Sequence, residues 1–325
     1  MSNSSFKLTH TLQGHTEYLI CLTISPDGNF LVSSCYDTIK LWDLRDGTLM
    51  FSREHYRGSQ NFSLIVSPDW TKFITDYDDC IEVQDLLTGE KLFNFWVDSS
   101  NTIAISLDGT CLIIAEYVQF QPHLPGVYGK LITPTPIKIY NLQTGKLIST
   151  LHGHDYMASS LIISQDGSKL LSHSSYHSTK VWELKTGQEL YSFTLRSQGY
   201  KHWIDAFAVT VTGEIVGSGY KFNARDCVNF EMWNFLTGQI IHSFSNTYHY
   251  QDIFPDSELK SDMTPDSKTL VSMCKTNLDV WNGETGEKIC TLQGRESNFK
   301  KSLAISKNGR KIVNYGGGCI QVWER

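Results

Sequence analysis

The sequence predicts an all-β fold built from seven copies of one four-stranded antiparallel unit. Three observations support this prediction. A hairpin turn of the Ser-Pro-Asp-Gly type recurs seven times, a strand ending in an aromatic and a small polar residue recurs at a near-regular spacing, and a Thr-Gly or Asp-Gly pair follows that strand. No stretch of useful length has the apolar periodicity of a helix.

The recurring turn separates the first two strands of each unit. Proline pre-sets φ, aspartate caps the turn backbone and glycine adopts positive φ, so the pattern predicts a tight hairpin. Some copies are degenerate, but all keep a hydroxyl residue at the first position. The copies begin at Ser25, Ser67, Ser106, Ser164, Thr210, Thr264 and Ser306.

The third strand of each unit ends at an anchor position, which is Trp in five copies, Gln84 in one and Tyr140 in another. The anchors are residues 42, 84, 140, 182, 233, 281 and 323, so the intervals are 42, 56, 42, 51, 48 and 42 residues. A base period of 42 residues with three longer intervals is typical of the four-stranded blade of a β-propeller.

Together these motifs resemble the WD-repeat (WD40) family, and the resemblance covers nearly the whole chain. It implies a seven-bladed β-propeller formed as one domain over residues 1–325. The chain ends with a third strand, and the segment 7–14 is similar to the fourth strand at 288–294. We therefore expect residues 6–13 to complete the last blade and close the ring, which removes two open sheet edges.

The resemblance also implies a hydrogen-bonded structural tetrad in regular blades. In the first blade its members are His15, Ser34 (or Ser33), Asp37 and Trp42. A buried histidine held by a carboxylate would satisfy polar groups in an otherwise apolar blade. The same residues could be read as a catalytic Ser-His-Asp set, but no nucleophile elbow is present. We expect no catalytic residue and no metal site.

The fourth blade matches the tetrad less well. It has His154 and Trp182, but His177 stands where the tetrad requires an aspartate.

Three insertions break the 42-residue period, at residues 117–136, 217–229 and 245–258. Because strands alternate in direction, these connections should all emerge on one face of the propeller, the top. Aromatic residues and arginine on loops above a rigid scaffold are typical of a recognition surface. The alternative is that the aromatic side chains cover their own loops. The expected partner-binding residues are Tyr117, Phe120, Tyr128, Tyr220, Phe222, Arg225, Tyr248, Tyr250 and Phe254.

Composition narrows the function classes. The net charge is −6 and no long Lys/Arg run occurs, which disfavours nucleic acid as a partner. The N-terminus lacks an apolar signal region, and the longest apolar stretch, near residues 18–24, is too short for a membrane span. Eight cysteines without a C-x-x-C pair indicate a reducing compartment, which we take to be the cytoplasm.

We therefore expect a non-enzymatic scaffold without a cofactor, which binds a protein or peptide on its top face. The alternatives are a propeller enzyme of the lactonase-like or quinone-dependent kind and a purely structural subunit of a larger complex.

Overall fold

The computed structural model describes residues 5–17, 19–35, 37–54, 62–77, 80–97, 102–116, 136–154, 158–164, 167–174, 178–194, 202–209, 215–222, 227–234, 239–249, 260–274, 276–295 and 303–325. All regular elements in these segments are β-strands, β1 to β28. They form seven four-stranded antiparallel sheets, numbered here sheet 1 to sheet 7. Sheets 1 to 6 each contain four consecutive strands, whereas sheet 7 contains the last three strands and β1.

The chain divides into two compact units, so the prediction of a single domain over residues 1–325 stays a prediction. The first unit comprises Met1–Gly58 and Ser197–Arg325. Its sheet 1 is β2 (Leu19–Ile24), β3 (Phe30–Cys35), β4 (Thr38–Asp43) and β5 (Thr48–Glu54), and its sheet 5 is β18 (His202–Val209), β19 (Ile215–Phe222), β20 (Cys227–Asn234) and β21 (Gln239–His249). Sheet 6 is β22 (Lys260–Met263), β23 (Thr269–Cys274), β24 (Asn277–Asn282) and β25 (Lys288–Gln293). Sheet 7 is β26 (Leu303–Ile305), β27 (Lys311–Gly316), β28 (Cys319–Glu324) and β1 (Lys7–Leu12).

The second unit, Ser59–Arg196, contains the other three sheets. Sheet 2 is β6 (Phe62–Val66), β7 (Lys72–Tyr77), β8 (Cys80–Asp85) and β9 (Lys91–Trp96). Sheet 3 is β10 (Thr102–Ile105), β11 (Cys111–Ala115), β12 (Ile137–Asn141) and β13 (Leu147–Leu151). Sheet 4 is β14 (Ala158–Ile163), β15 (Lys169–Ser174), β16 (Ser178–Glu183) and β17 (Glu189–Thr194).

Within each unit, successive sheets approach one another through their first strands. In the first unit β22 contacts β18 and β26, and β26 contacts β2; in the second, β10 contacts β6 and β14. Apolar side chains fill the space between neighbouring sheets. On β11, Leu112 and Ile114 pack towards sheet 2, and Ile113 and Ala115 pack towards sheet 4. Burial on both faces explains the continuous apolar run. The prediction of an all-β propeller fold with four-stranded antiparallel blades is confirmed.

The N-terminal strand pairs as the repeat pattern predicts. β1 lies antiparallel to β28 at the outer edge of sheet 7, with Lys7 opposite Glu324 and Leu12 opposite Ile320. Phe6, just before this strand, joins the apolar core between sheets 6 and 7, and Leu12 joins the core between sheets 7 and 1. These N-terminal residues therefore contribute to the packing on both faces of the sheet that β1 completes.

The hairpin turns have the predicted backbone. Gly28 and Gly109 have φ values of 76° and 70°, and each donates its N–H to the backbone carbonyl of the serine three positions earlier at 2.8 Å. Where glycine is missing, Trp70 and Ser267 adopt the same left-handed region, with φ of 55° and 57°. The geometry of the turn is thus kept even where a non-glycine residue must accept an unfavourable φ.

The glycines that follow the third strands lie where neighbouring sheets pack closely against each other. Gly47, Gly145, Gly187 and Gly286 all have φ between 66° and 77°. A Cβ on Gly145 would lie 2.9 Å from Phe95, which belongs to the outer strand of the preceding sheet. A Cβ on Gly47 would lie similarly close to His10, and one on Gly286 similarly close to His242. A Cβ on Gly187 would lie 3.0 Å from Leu151. The repeated glycine therefore permits close contact between blades as well as the turn itself.

Every outer strand carries a β-bulge opposite the anchor position. The extra residue is Thr9 in β1 and an apolar residue in the six other outer strands, and the most exposed of these apolar residues is Ile148, at 55%. A bulge twists an edge strand away from a regular ladder and so discourages edge-to-edge pairing.

Two of the three insertions differ from the expected loops. The insertion at 217–229 largely extends the β19–β20 hairpin, because β19 runs to Phe222 and β20 begins at Cys227. The insertion at 245–258 begins as strand, because β21 runs to His249. Aromatic and β-branched residues in these segments favour extended backbone, which explains the difference. Most of the remaining insertion, residues 117–135, lies outside the described residues.

Candidate functional site

The predicted partner-binding residues divide into two groups. Tyr220 and Phe222 belong to β19, and Tyr248 belongs to β21, so they stand on strands rather than on loops. The other six lie outside the described residues: Tyr117, Phe120, Tyr128, Arg225, Tyr250 and Phe254.

Sheet 5 is longer than the other sheets at the end where these residues stand. β20 begins at Cys227, six residues before the anchor at 233, whereas β4 begins at Thr38, four residues before the anchor at 42. Two extra residues lengthen the sheet by about 7 Å. The pairing continues through this extension, with Phe222 opposite Val228 and Val228 opposite Tyr248. Two strands, β19 and β21, thus carry the three predicted aromatic residues, and β20 lies between them and pairs with both.

The base of the insertion in sheet 3 is closed by polar contacts. The Glu116 N–H donates to the carbonyl of Pro136 at 3.2 Å. Lys138 Nζ lies 2.5 Å from Glu116 Oε1, and both side chains are largely buried. The hydrogen bond and the buried ion pair thus hold Glu116 and Pro136, the residues that flank the insertion, together beside sheet 3.

In the structural tetrad of sheet 1 the serine is Ser33, which the sequence offered as the alternative to Ser34. Trp42 Nε1 donates to Ser33 Oγ at 2.8 Å, and Ser33 Oγ lies 2.7 Å from His15 Nε2. The predicted Ser34 points elsewhere and donates to the carbonyl of Cys35 at 3.3 Å. The alternation of side chains along β3 explains the correction, since only every second residue faces the Trp42 side of the sheet.

The carboxylate of Asp37 reaches the histidine only through another side chain. His15 Nδ1 lies 3.0 Å from Cys35 Sγ and 3.1 Å from Thr38 Oγ1. The thiol of Cys35 in turn donates to Asp37 Oδ1 at 2.8 Å. Because Ser33 already accepts the indole N–H, its own proton is free for His15 Nε2, which assigns the remaining ring proton to Nδ1. The chain of donors therefore runs from Trp42 through Ser33 and His15 towards Asp37.

The electrostatics of this set favour a structural role. Burial, followed by the charge of Lys40, lowers the pKa of His15 to about 4, although Asp37 opposes the shift. Burial, followed by the hydrogen bond to Asp37, raises the pKa of Cys35. Ser33 and Cys35 are both fully buried. A neutral histidine beside hydroxyl and thiol groups that no substrate reaches offers no route to nucleophilic catalysis.

Sheet 4 repeats the arrangement. His154 Nε2 lies 2.6 Å from Ser172 Oγ, which also accepts the N–H of Trp182 at 2.8 Å. His154 Nδ1 lies 3.1 Å from Ser178 Oγ, the hydroxyl at the position of Thr38 in sheet 1. The predicted substitute for the aspartate, His177, lies outside the described residues. A hydroxyl at the first residue of the third strand is thus the histidine partner that the sequence patterns did not indicate.

Sheets 6 and 7 have the hydrogen bond from the anchor tryptophan to its acceptor. Trp281 donates to Ser272 at 2.9 Å, and Trp323 donates to Asn314 at 2.9 Å. Sequence reasoning could have found these acceptors, because each stands nine residues before its tryptophan, as Ser33 does. The interval is ten residues in sheet 4, which obscures the rule.

In the described part of the chain, no three His, Cys, Asp or Glu side chains converge as metal ligands would. The described segments also contain no helix long and apolar enough to cross a membrane.

Comparison with known proteins identifies relatives with the same repeat. The family model "WD domain, G-beta repeat" matches residues 6–43, which span β1 to β4. The chain is 25% identical over 185 residues to autophagy-related protein 16 of Arabidopsis thaliana, covering 56% of this chain and 25% of that protein. It is 36% identical over 95 residues to the small ribosomal subunit protein RACK1 of Schizosaccharomyces pombe, covering 29% of this chain and 30% of the relative.

A third relative is the guanine nucleotide-binding protein subunit beta of Oryza sativa, 28% identical over 181 residues, with 52% of this chain and 44% of the relative covered. Each alignment thus spans less than half of the relative's length. The repeated hairpin turns, the anchor residues, the four-stranded antiparallel sheets and these similarities agree, and together they support the WD-repeat family of β-propellers.

Proposed function

We propose that the protein is a non-enzymatic scaffold that binds a protein or peptide on its top face, through the extended end of sheet 5 and the insertions at residues 117–136 and 245–258. In this proposal the seven sheets close one ring of seven blades, completed by β1, and the protein acts in the cytoplasm. The observation that carries the proposal is the extension of sheet 5, which holds Tyr220, Phe222 and Tyr248 on paired strands.

Rigid presentation matters for affinity. An aromatic side chain on a paired strand loses less conformational freedom on binding than the same side chain on a loop. Tyrosine and phenylalanine also bury large apolar areas, so a few of them can supply most of the binding energy of an interface. The contacts of Glu116 with Pro136 and Lys138 hold the two residues that flank the insertion in sheet 3 close together.

The names of two relatives, a small ribosomal subunit protein and a guanine nucleotide-binding protein subunit, describe components of assemblies. They support a role within a complex for this chain as well. The enzyme alternative has no comparable support, because the histidine sets of sheets 1 and 4 are built into the blades.

Quantitative affinity capture from cell extract tests the proposal. The double variant Phe222→Ala/Tyr248→Ala should lose the proteins that the parent retains, and deletion of residues 117–135 should weaken the same interactions. A matched control is Lys185→Ala, an exposed residue of the turn between β16 and β17. Melting temperatures of all variants must stay at the parent value. Capture that survives the double variant but fails in the control would move the binding surface away from sheet 5.

A further inference from the structure

A polar residue stands two positions before the anchor in all seven third strands. Six of these residues are charged, and the seventh is Gln321. In three sheets a residue of opposite charge follows nine positions later, on the outer strand. Glu82 pairs with Lys91 at 2.6 Å, Lys180 with Glu189 at 2.8 Å and Asp279 with Lys288 at 3.0 Å. A charge held within a blade requires such a partner, because burial removes its hydration.

Sheet 4 shows the full arrangement around a lysine. Lys180 is 8% exposed, and its Nζ contacts Glu189 Oε2 at 2.8 Å and Ser192 Oγ at 3.1 Å. The carboxylate also stands above Gly153, where a Cβ would lie 3.1 Å from Glu189 Oε2. The ammonium group therefore has one anionic partner and one hydroxyl partner beside a glycine.

Sheet 1 has the same lysine, serine and glycine but no carboxylate. Lys40 is 7% exposed, and its Nζ donates to Ser52 Oγ at 2.7 Å. The position of Glu189 is taken by Leu49, nine residues after Lys40. A Cβ on Gly14 would meet only Trp42 at 3.7 Å and Lys40 Cε at 3.8 Å within 4 Å. In the described segments Lys40 therefore has a hydroxyl partner but no ion pair.

Lys40 itself is buried, but the strand that carries its hydrogen-bond partner lies at the surface. Ser52, its hydrogen-bond partner, is exposed on the outer strand β5. A lysine that lays its methylene groups along apolar surface commonly keeps its charged end at the boundary with water. Leu49 and Met50, on the same strand, are 45% and 48% exposed.

We propose that Lys40 and Ser52 form a binding position for a carboxylate of a partner protein, in which an acidic side chain stands next to an apolar one. The acidic group would pair with Lys40 Nζ as Glu189 Oε2 pairs with Lys180 Nζ in sheet 4, and the apolar neighbour would contact Leu49 and Met50. This inference depends on the proposed scaffold function but concerns a different surface from the end of sheet 5. Attraction is stronger here than at a solvated lysine, because Lys40 is already largely desolvated before binding.

Fluorescence anisotropy with two labelled peptides tests the site directly. One peptide is a four-fold repeat of Leu-Glu and the other a four-fold repeat of Leu-Gln. The parent protein should bind the Leu-Glu peptide at least about five-fold more tightly, the ratio expected for one exposed ion pair of about 1 kcal/mol. The net charge of −6 works against a general preference for acidic peptides. Equal affinities for the two peptides would overturn the proposal.

Variants of two residues identify the position. Leu49→Glu places a carboxylate of the chain itself at Lys40 and should abolish the preference, whereas Leu49→Gln should retain it. Lys40→Met should also abolish it, and Lys180→Met, whose site already contains Glu189, should not. A preference that persists in Leu49→Glu, or that Lys180→Met removes, would contradict the assignment.

Thermal unfolding gives a second measurement that needs no peptide. Leu49→Glu should melt about 1–3 °C above Leu49→Gln, because it supplies the missing ion pair. In a Lys40→Met background the two substitutions should melt together. An identical melting temperature for both in the parent background would show that a carboxylate does not reach Lys40. Either failure leaves the capture experiment at Phe222 and Tyr248 unaffected, so the two proposals can fail separately.

Discussion

Removal of the two buried side chains contributed by the N-terminal segment should destabilise the whole first unit. Phe6 is 6% exposed in the core between sheets 6 and 7, and Leu12 is 4% exposed in the core between sheets 7 and 1. The double variant Phe6→Ala/Leu12→Ala keeps the backbone of β1 and removes both contacts. It thus separates the packing of the N-terminal segment from its hydrogen bonds to β28.

The magnitude follows from the burial of the two residues. Truncation of a buried leucine costs about 2–5 kcal/mol and of a buried phenylalanine about 3–5 kcal/mol. The Arg325 guanidinium lies 5.0 Å from the centre of the Phe6 ring, and loss of this contact adds about 0.5 kcal/mol. Because the residues belong to different cores, the effects should add to at least about 5 kcal/mol. Deletion of residues 1–12 should cost more, since it also removes the strand.

Equilibrium unfolding in urea, monitored by tryptophan fluorescence, measures this loss, and circular dichroism melts provide an independent midpoint. Lys7→Ala is the matched control, since Lys7 is exposed on the same strand and its removal should change stability by less than about 0.5 kcal/mol. A double variant within about 1 kcal/mol of the parent would refute the reasoning. The N-terminal segment would then pair with β28 without contributing to the stability of the apolar cores.

Three further predictions concern single positions. Gly145→Ala should cost about 2 kcal/mol more than Gly109→Ala in urea unfolding, because both residues have positive φ but only the first would bring a Cβ within 2.9 Å of a neighbouring side chain; equal costs would exclude the steric effect. Ser33→Ala should lose about 2 kcal/mol, since two buried hydrogen bonds disappear, and Ser34→Ala less than about 1 kcal/mol; the reverse order would restore the serine first expected from the sequence. The pKa of His15 falls from 6.5 to about 4 on folding, so the unfolded chain binds more protons between these values and stability should fall as the pH drops from about 6.5 to 4, by at most about 3 kcal/mol; an unchanged pH profile in His15→Gln would contradict this linkage.

Local patterns made the blades predictable. The hairpin turn requires particular residue types at adjacent positions, so seven copies of it could be read without knowledge of packing. The anchor spacing gave the strand order within each blade, and the similarity between residues 7–14 and 288–294 indicated the partner of β1. These features depend on contacts between residues close in sequence, or on repetition of one unit.

The predictions for the site were less accurate, for identifiable reasons. Ser33 and Ser34 are adjacent hydroxyl residues, and only the side-chain alternation of β3 decides which one faces Trp42. The aromatic segments of sheet 5 were assigned to loops because they interrupt the period, but pairing with neighbouring strands extends them. Strand formation of this kind depends on a partner strand that composition does not reveal.

The sequence by itself determined the repeat, its turn chemistry and its resemblance to the WD-repeat family. The tertiary structure decided which polar groups meet: Cys35 between His15 and Asp37, a hydroxyl at the start of the third strand as the partner of histidine, and a lysine in sheet 1 without the carboxylate that sheet 4 provides. The physical reason is that turns are specified by a few consecutive residues, whereas a buried polar contact depends on side-chain direction and on the residue that a neighbouring strand places opposite.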